Sequence, residues 1–370
     1  MENNTFTIIS RTIPYWLVSG APFEDIVISS RLRYARNIAG YRFPNLASNE
    51  ELGEIFEMAR AALENTQIPL ETEKIEFITV TEFTDLQGEF LLERHLISPD
   101  FLKKIKSREK DDKNKHLSTL GVFISNDETI SIMVNEEDHL RFQVISAGLE
   151  FDKSFSKLNT LDDIFESTLR YAFSPQYGYL TACPTNVGTG FRVSIMAHLP
   201  GLVLTKEINQ ALNAIWQFNC LVRGLYGEGT ETRGYFFQIS NSITLGQTEQ
   251  EIMQGIKNII TQLINHEKKA RDFLLKTMKT ELEDKVYRAY AILRSARLLN
   301  SDEALNLLAT VRLGVATEIL NEVSLTTLNK IMILLKPANL QIFYNQTLNP
   351  YERDEKRASL IRTILQESQN

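Results

Sequence analysis

The chain has 370 residues, of which 43% are hydrophobic and 24% are charged. These fractions are typical of globular proteins and exclude a disordered, collagenous or low-complexity chain, while the length favours two domains of unequal size. The formal net charge of −7 argues against direct binding of nucleic acid. Because there are only 2 cysteines, and no apolar run approaches the roughly 18 residues that span a bilayer, we expect a cytoplasmic protein without disulfides, export signal or membrane span.

The first 250 residues mix the hydrophobic periods of strands and helices. Ser48 and Glu51 have the spacing of a capping box at the start of a helix. Alternating and helical patterns predict strands at 75–83, 121–125 and 130–135, the last two joined by a turn at 126–128, and helices at 48–63, 161–172 and 206–220. The sum is an α+β domain in which antiparallel strands are covered by helices.

The chain changes character near residue 250, because only Gly314 of the 17 glycines lies beyond Gly255. Thr248 with Glu251 predicts the start of one or two long helices that run to about residue 299. Further helical patterns follow at 302–309, 324–335 and 353–366. We therefore expect a first domain at 1–250 and an all-helical domain at 251–370, for which dimerisation is the simplest use.

Arg31 and Arg33 lie in the segment Ser-Ser-Arg-Leu-Arg that follows a short apolar run. On a strand the two side chains share one face, because side chains alternate with period two. Two neighbouring guanidinium groups repel each other unless an anion with several oxygens lies between them, and phosphate fits their geometry. A surface strand with scattered salt bridges explains this segment equally well when it is taken alone.

An acidic run, Asn-Glu-Glu-Asp-His at 135–139, follows the strand predicted at 130–135. Adjacent carboxylates raise one another's pKa or hold cations, and Arg141 supplies a cation just after them. An acidic turn on the surface is the more common meaning of such a run alone.

Two glycine-containing loops lie further along the chain. The segment 183–192 begins at Cys183 and includes Gly188 and Gly190, so it could present backbone N–H groups to an anion beside a thiol, although a buried inert cysteine is the ordinary alternative. The segment 223–229 combines Arg223 with Glu228, and a plain hairpin loop is its alternative.

Together these segments supply arginines for a polyphosphate and carboxylates for a cation, without a P-loop. Phosphoryl transfer depends mainly on positioning and charge neutralisation, for which arginine clamps are suited. The carboxylates and the cysteine suit a cationic acceptor such as a guanidinium.

The motifs at 29–33, 135–139 and 183–190 together resemble those of the ATP:guanido phosphotransferases, or phosphagen kinases. This resemblance implies a phosphagen-kinase-like antiparallel-sheet catalytic domain flanked by helices and followed by an all-helical domain. Within the family the chain is similar to the bacterial protein arginine kinases, since only 28 residues precede Ser29 and the helical domain comes afterwards. The segment Arg-Asp-Glu-Lys-Arg-Ala at 353–358 resembles their phosphoarginine-binding motif.

The resemblance implies that Glu137 is the catalytic carboxylate, that Cys183 lies against the substrate guanidinium and that Glu228 holds its other nitrogens. The nucleotide contacts that it implies come from Ser29, Ser30, Arg31, Leu32, Arg33, His95, Arg141, Arg192, Val193, Ser194, Ile195, Met196, Arg223, Gly224, Leu225, Tyr226, Gly227 and Glu228. The implied allosteric pocket for phosphoarginine consists of Arg353, Asp354, Glu355, Lys356, Arg357 and Ala358. The implied cofactors are ATP and Mg²⁺, with no metal ligand from the protein.

The implied activity is transfer of the γ-phosphoryl group of MgATP to arginine side chains of proteins, which marks those proteins for Clp-type degradation. Two alternatives stay open: a small-molecule phosphagen kinase that uses free arginine or a related guanidine, and a non-catalytic adaptor that reads phosphoarginine. The implied partners are protein substrates, a heat-shock repressor, the Clp protease machinery, a zinc-binding activator and a second copy in a homodimer. The basic run at 103–115 and Arg233 lie outside the family pattern, and their roles stay open.

Overall fold

A computed structural model describes residues 13–18, 20–64, 75–79, 83–107, 119–224 and 234–368. Its strands are β1 (Val27–Arg36), β2 (Ile75–Thr79), β3 (Gly121–Ser125), β4 (Ile130–Val134), β5 (Leu140–Ala147), β6 (Phe173–Ser174), β7 (Gly178–Tyr179), β8 (Phe191–His198), β9 (Cys220–Gly224) and β10 (Phe236–Asn241). Its helices are α1 (Asn49–Glu64), α2 (Asp85–Glu93), α3 (Pro99–Ser107), α4 (Phe151–Glu166), α5 (Pro200–Leu204), α6 (Ile208–Gln217), α7 (Glu249–Thr277), α8 (Lys279–Ser295), α9 (Ser301–Ala316), α10 (Leu325–Leu334), α11 (Pro337–Tyr344) and α12 (Pro350–Glu367).

An eight-stranded sheet in the order β2-β3-β4-β5-β1-β8-β10-β9 forms the centre of the first domain. Every neighbouring pair of strands is antiparallel, and β6 pairs separately with β7. The predicted α+β class, with an antiparallel sheet flanked by helices and an all-helical region after it, is confirmed. None of the helices in the described ranges has the length and apolarity needed to cross a membrane.

The two faces of this sheet have different surroundings. On β1, Leu32 and Tyr34 point to one face and pack in a hydrophobic core with side chains of α1, α4, α6 and α7. The alternate residues Arg31 and Arg33 point to the other face, as period two requires. The helical domain packs at one end of that second face, where its core includes Ile145 of the sheet.

The helix marked by a capping box was located better than one predicted from its apolar pattern alone. The Ser48 hydroxyl accepts a hydrogen bond from the Glu51 N–H at 3.2 Å, and the Glu51 carboxylate accepts one from the Ser48 N–H at 2.7 Å, so this capping box is confirmed. The helix predicted at 161–172 instead spans Phe151–Glu166 and has no side-chain cap at its start. Because Leu169 and Tyr171 are buried beyond its end, the apolar pattern continues where the helix does not.

The core changes along helix α7. Residues of α7 from Ile252 to Ala270 pack in the sheet core, whereas Leu274 packs in the core of the helical domain. The expected boundary at 250 therefore falls at the beginning of a helix that joins both cores. In the helical domain, a Cβ atom at Gly314 would lie 2.3 Å from Val286 Cγ1, so glycine permits the close approach of α9 to α8.

Candidate active site

A cavity of about 730 Å³ lies between the polar face of the sheet, the loop that begins at Cys183 and the helical domain. The sheet and its loops supply polar side chains: Arg31, Arg33, His95, Ser98, Asp100, Glu137, Arg141, Gln143, Cys183, Thr185, Asn186, Arg192, Arg223, Gln238 and Ser240. The helical domain supplies Ser301, Asp302, Leu305, Met332, Leu335, Lys336 and Pro337. One cavity thus contains residues from all four of the segments identified in the sequence.

Strand register places five arginines on this face. Arg33 lies directly opposite Arg192 on β8, and Arg31 lies opposite Ser194. Arg141 on β5 and Arg223 on β9 line the same cavity from the flanking strands. The predicted common face of Arg31 and Arg33 is therefore what the structure shows.

Arg31 and Arg33 have few protein partners. The Nε atom of Arg31 donates only a long hydrogen bond, 3.4 Å, to the Ser194 hydroxyl, and the buried Nε of Arg33 has no acceptor among the described residues. Burial and the nearby Arg141 lower the pKa of Arg31 to about 10, and burial with the charges of Arg31, Arg141 and Arg192 lowers the pKa of Arg33 well below its ordinary value. A cluster of this kind is suited to an anion, because an anion would supply the missing acceptors and relieve the repulsion.

The three consecutive carboxylates of the acidic run have different surroundings. Glu136 is buried and accepts hydrogen bonds from the Ser98 hydroxyl at 2.5 Å and from Arg141 Nη1 at 2.7 Å. Asp138 is also buried and accepts from Asn37 Nδ2 at 2.6 Å and from the Ala182 N–H at 2.7 Å. Glu136 therefore fixes the turn through Arg141, and Asp138 fixes it through the backbone of Ala182, which precedes Cys183.

Glu137 is the member of the run that faces the cavity. Its side chain is exposed and forms no ion pair or side-chain hydrogen bond within the part of the chain that the structure describes. Partial burial and the charges of Asp138 and Glu136 raise its pKa, against the opposing effect of Arg141. A carboxylate with free lone pairs and a raised pKa is suited to accept a proton.

His139, the last residue of the acidic run, has a structural role. Its Nδ1 accepts the Ile38 N–H at 3.0 Å, and the backbone N–H of His139 donates to Asn37 Oδ1 at 2.9 Å. Burial lowers the pKa of His139 to about 4, so the ring is neutral at physiological pH. These bonds join the acidic turn to the end of β1.

The loop at 183–186 is joined to β8 by Arg192. The guanidinium donates to Asn186 Oδ1 at 3.1 Å and to the Thr185 hydroxyl at 3.0 Å. The Cys183 thiol lies 3.0 Å from the same Thr185 hydroxyl and lines the cavity. Arg192 therefore positions the thiol as well as adding charge to the site.

Gly188 and Gly190, which follow this loop, do not line the cavity. Gly188 has φ +113°, and a Cβ there would lie 2.3 Å from the Thr244 carbonyl oxygen. Gly190 has φ +64°, and a Cβ there would lie 2.6 Å from the Ala35 carbonyl oxygen. The sequence suggested that this stretch presents backbone N–H groups to an anion. The structure instead uses its glycines to pack the loop against neighbouring chain.

Several residues of the predicted nucleotide set do not reach the cavity with their side chains. Leu32, Val193 and Ile195 are buried in the hydrophobic core on the opposite face of the sheet, so their side chains point away from the cavity. The Ser30 hydroxyl is buried and donates to the Gly148 carbonyl at 2.6 Å. The physical reason is the period-two alternation of a strand, which sends neighbours in sequence to opposite faces.

Other predicted residues lie beside the cavity or outside the described chain. Ser29, Ser194 and Met196 line a small space of about 40 Å³ that shares Arg31 and His95 with the main cavity. Gly224 ends β9, opposite Phe237. Leu225, Tyr226, Gly227, Glu228, Arg233 and the stretch 108–115 lie outside the described residues.

The site also contains residues that were not predicted. Gln143, Gln238 and Ser240 share the arginine face, and the alternation that grouped Arg31 with Arg33 would have found them once β5 and β10 were recognised as strands. No local pattern points to the contribution of the helical domain, such as Lys336, because it depends on packing between distant parts of the chain.

The segment 353–358 lies in α12 and does not itself line the cavity. Arg357 is buried, and its guanidinium donates to the carbonyl oxygens of Leu335 at 2.7 Å and Leu299 at 2.8 Å and to Asp354 Oδ1 at 2.7 Å. Ala358 is buried beside it, whereas Arg353 is partly exposed. In this structure Arg357 thus joins three elements of the helical domain.

Comparison with known proteins agrees with this architecture. Residues 44–270 match the model of the ATP:guanido phosphotransferase C-terminal catalytic domain, and residues 279–370 match that of the protein-arginine kinase McsB C-terminal domain. A protein-arginine kinase of Pelotomaculum thermopropionicum is 43% identical over 94% of both chains. One of Caldanaerobacter subterraneus is 43% identical over 92% of this chain and 97% of its own.

Solved structures support the same conclusion at greater distance. A lombricine kinase structure is 26% identical, covers 68% of this chain and 69% of its own, and has a TM-score of 0.56. The duplicated taurocyamine kinase of Schistosoma mansoni, 24% identical with a TM-score of 0.55, covers 70% of this chain and 35% of its own and supports the fold alone. The chain belongs to the protein-arginine kinase family of ATP:guanido phosphotransferases.

Proposed function

We propose that this protein transfers the γ-phosphoryl group of MgATP to the guanidinium of arginine side chains in proteins. The observation that carries the proposal is the cavity of about 730 Å³ that is lined by five arginines and by the exposed carboxylate of Glu137. Membership of the protein-arginine kinase family supports the protein acceptor.

The arginines would hold the nucleotide phosphates. Arg31, Arg33 and Arg192 offer guanidinium groups on adjacent strands, and the charge that develops on the phosphoryl oxygens attracts them in the transition state. Mg²⁺ bound by the nucleotide phosphates would neutralise further charge, and it is normally held by phosphates and water with few protein ligands. Binding of Mg²⁺ by the nucleotide and water would suit a site that has more arginines than carboxylates available to a metal.

The acceptor arginine must lose a proton, since a guanidinium with a pKa above about 12 has no lone pair for attack. We assign this proton to Glu137. As the acceptor nitrogen forms its bond to the γ-phosphorus, the bond from that phosphorus to the β–γ bridging oxygen breaks, ADP leaves with the electron pair, and the proton passes to the Glu137 carboxylate. Cys183 would lie against the acceptor guanidinium, with Glu228 as the second carboxylate by resemblance.

A labelling experiment tests the activity. The protein is incubated with radiolabelled ATP and Mg²⁺, together with either free arginine or an unfolded arginine-rich protein, and the product is tested for acid lability. We expect acid-labile label on the protein acceptor. Label on free arginine alone would favour the small-molecule kinase, and no label on either acceptor would leave an inactive phosphoarginine reader or an enzyme that awaits its activator.

The segment 353–358 is proposed as a phosphoarginine pocket by resemblance to the family motif. Because Arg357 is buried and bonded to two carbonyl oxygens, its removal would also disturb the fold. The partly exposed Arg353 is therefore the better residue to change. Arg353→Ala should weaken binding of a phosphoarginine peptide while thermal unfolding stays unchanged, and undiminished binding would reject the pocket.

We further propose, from family resemblance, that phosphorylation marks substrates for Clp-type degradation in the cytoplasm. A heat-shock repressor, the Clp machinery and a zinc-binding activator are the proposed partners, and the helical domain is the proposed dimer contact. Light scattering during size-exclusion chromatography tests the dimer, which a monomeric mass at micromolar concentration would reject. Degradation of a phosphorylated but not an unphosphorylated substrate by purified Clp protease tests the marking role.

A further inference from the structure

Glu93, the last residue of α2, contacts the helical domain at the wall of the cavity. Its carboxylate accepts hydrogen bonds from the Ala338 N–H at 2.9 and 3.1 Å, from the Asn339 N–H at 2.9 Å and from Asn339 Nδ2 at 2.8 Å. Helix α11 begins here, and its N-cap residue Lys336 forms no side-chain cap hydrogen bond. Glu93 thus satisfies N–H groups that a helix leaves free at its start, and its charge suits that end of the helix.

Two further hydrogen bonds join the end of α2 to the start of α11. Lys336 Nζ donates to the Glu93 carbonyl oxygen at 2.7 Å, and Arg94 Nε donates to Asn339 Oδ1 at 2.8 Å. Arg94 is itself buried and paired with the buried carboxylate of Glu128. The Asn339 amide therefore bonds to two consecutive residues of the first domain, which fixes its orientation.

This contact lies at the nucleotide-binding cavity proposed above. Glu93 and the next residue but one, His95, line the cavity from the first domain, while Leu335, Lys336 and Pro337 line it from the helical domain. His95 has φ +63°, and its carbonyl oxygen accepts a hydrogen bond from Gln143 Nε2 at 2.6 Å. Moving α11 away from α2 would therefore displace two walls of the cavity.

Electrostatics agree with this proximity. Burial, followed by the charges of Lys336 and Arg31, lowers the pKa of His95 well below its ordinary value. Lys336 of the helical domain and Arg31 of β1 thus both act on the His95 ring. We expect a polyanion in the cavity to interact with Lys336 as well as with the sheet arginines.

We propose that Glu93 is a positioning residue for nucleotide binding. By its hydrogen bonds it holds the first turn of α11 against α2, so that the helical domain completes the cavity. The inference rests on the proposed function, because that function places the nucleotide there. Its test measures binding alone, so that it can be judged separately from phosphoryl transfer.

The experiment is a titration of the full-length protein with Mg²⁺ and a fluorescent N-methylanthraniloyl ATP. Glu93→Ala should raise the dissociation constant roughly tenfold, within the range of coupling for residues in direct contact. Asn339→Asp should also weaken binding, because it sets two carboxylates against each other. The double variant Glu93→Gln/Asn339→Asp should restore binding to within about threefold, since the side-chain amide introduced at position 93 can then donate to the new carboxylate and Arg94 can pair with it.

Glu89→Gln is the matched control. Glu89 lies on the same helix, is partly exposed and pairs with Lys106, so its loss should leave the dissociation constant unchanged. Circular dichroism and elution volume identify variants that fail to fold. If Glu93→Ala does not fold, the comparison of Asn339→Asp with the double variant still decides the matter.

The outcomes separate the two proposals. A folded Asn339→Asp variant that binds as well as the wild type, or a double variant that is not restored, would overturn the positioning role while leaving the kinase proposal intact. A wild-type protein that binds the nucleotide but transfers no phosphoryl group, with the expected variant effects, would support the positioning role and count against the activity. A wild type that binds no nucleotide would overturn both.

Discussion

The two faces of the central sheet are built from the same strands but have opposite physical roles. On one face Leu32, Phe142 and Val193 are fully buried in a hydrophobic core. On the other face Arg31 and Arg33 line a cavity and have few protein partners. The backbone ladder is common to both faces, so the difference lies entirely in which residues of each strand alternate to which side.

This comparison shows how a rigid site is made from a repulsive set of side chains. Arginines such as Arg31 and Arg33 repel one another and contribute little to folding where they lie. The apolar residues between them in sequence anchor the strands, and the hydrogen-bonded ladder holds the guanidinium groups at a fixed spacing. Residues that stabilise the core and residues that line the cavity thus alternate along each strand. Substitutions on the two faces should therefore have separable effects on stability and on activity.

The largest effect on chemistry is expected at Glu137, on the cavity side. Glu137→Gln should reduce kcat by roughly 10²–10⁴-fold, the usual contribution of a general base, while the free energy of unfolding stays unchanged because the side chain is exposed. The measurement is turnover with labelled ATP alongside urea denaturation. Asp100→Asn, an exposed carboxylate lining the same cavity, is the control and should retain most activity; equal losses in both variants would reject the assignment.

On the core side, Leu32→Ala should destabilise the protein by about 2–5 kcal/mol, since it removes a fully buried side chain and leaves a cavity. Turnover per folded molecule should remain near that of the wild type at low temperature. Urea denaturation and single-temperature kinetics measure the two quantities. A large fall in kcat with little loss of stability would contradict the separation of the faces.

How far this arrangement can be predicted from the sequence depends on the range of the interactions. The common face of Arg31 and Arg33 follows from alternation, and the capping box at Thr248 follows from local chemistry. A similar local signal marks the start of α2, where Thr84 and Gln87 form a capping box. These features are local, so a few neighbouring residues determine them.

The rest of the site depends on contacts between distant segments. Nothing in the acidic run distinguishes Glu137 from Glu136, which pairs with Arg141, or from Asp138, which accepts the Ala182 N–H across 44 positions of sequence. Likewise Glu93 and Asn339 are separated by 246 positions. Only the folded chain shows which carboxylate is left free and which helix closes the cavity.

Arg33 and Arg36 are both arginines of β1, but they lie on opposite faces of the sheet. Arg33→Met removes a cation whose Nε lacks an acceptor, so stability should be unchanged or slightly increased while the KM for ATP rises roughly tenfold, as for loss of a charged hydrogen bond. The measurements are initial rates against ATP concentration and thermal unfolding. An unchanged KM would show that the nucleotide does not engage Arg33.

Arg36 gives the opposite expectation. Its guanidinium is buried and bonded to the nearly buried Asp162 at 2.7 Å, so Arg36→Met leaves a carboxylate without its partner. This substitution should cost about 3–5 kcal/mol of stability. The KM for ATP of the folded fraction should stay close to that of the wild type, and a rise in KM equal to that of Arg33→Met would contradict the two-face description.

The smallest expected effect is a shift in the pH profile. Partial burial and neighbouring carboxylates, including Asp100, raise the pKa of Glu137 above its ordinary value of 4.5. A general base acts when ionised, so activity should fall as pH falls through this raised pKa, and the acidic limb of kcat/KM should have its midpoint above 4.5. Arg141 and Ser98 hold the pKa of Glu136 below its ordinary value despite burial, so Glu136 stays ionised and does not produce this limb. Asp100→Asn removes one negative charge near Glu137 and should move the limb to lower pH, and a shift to higher pH would show that another group controls it.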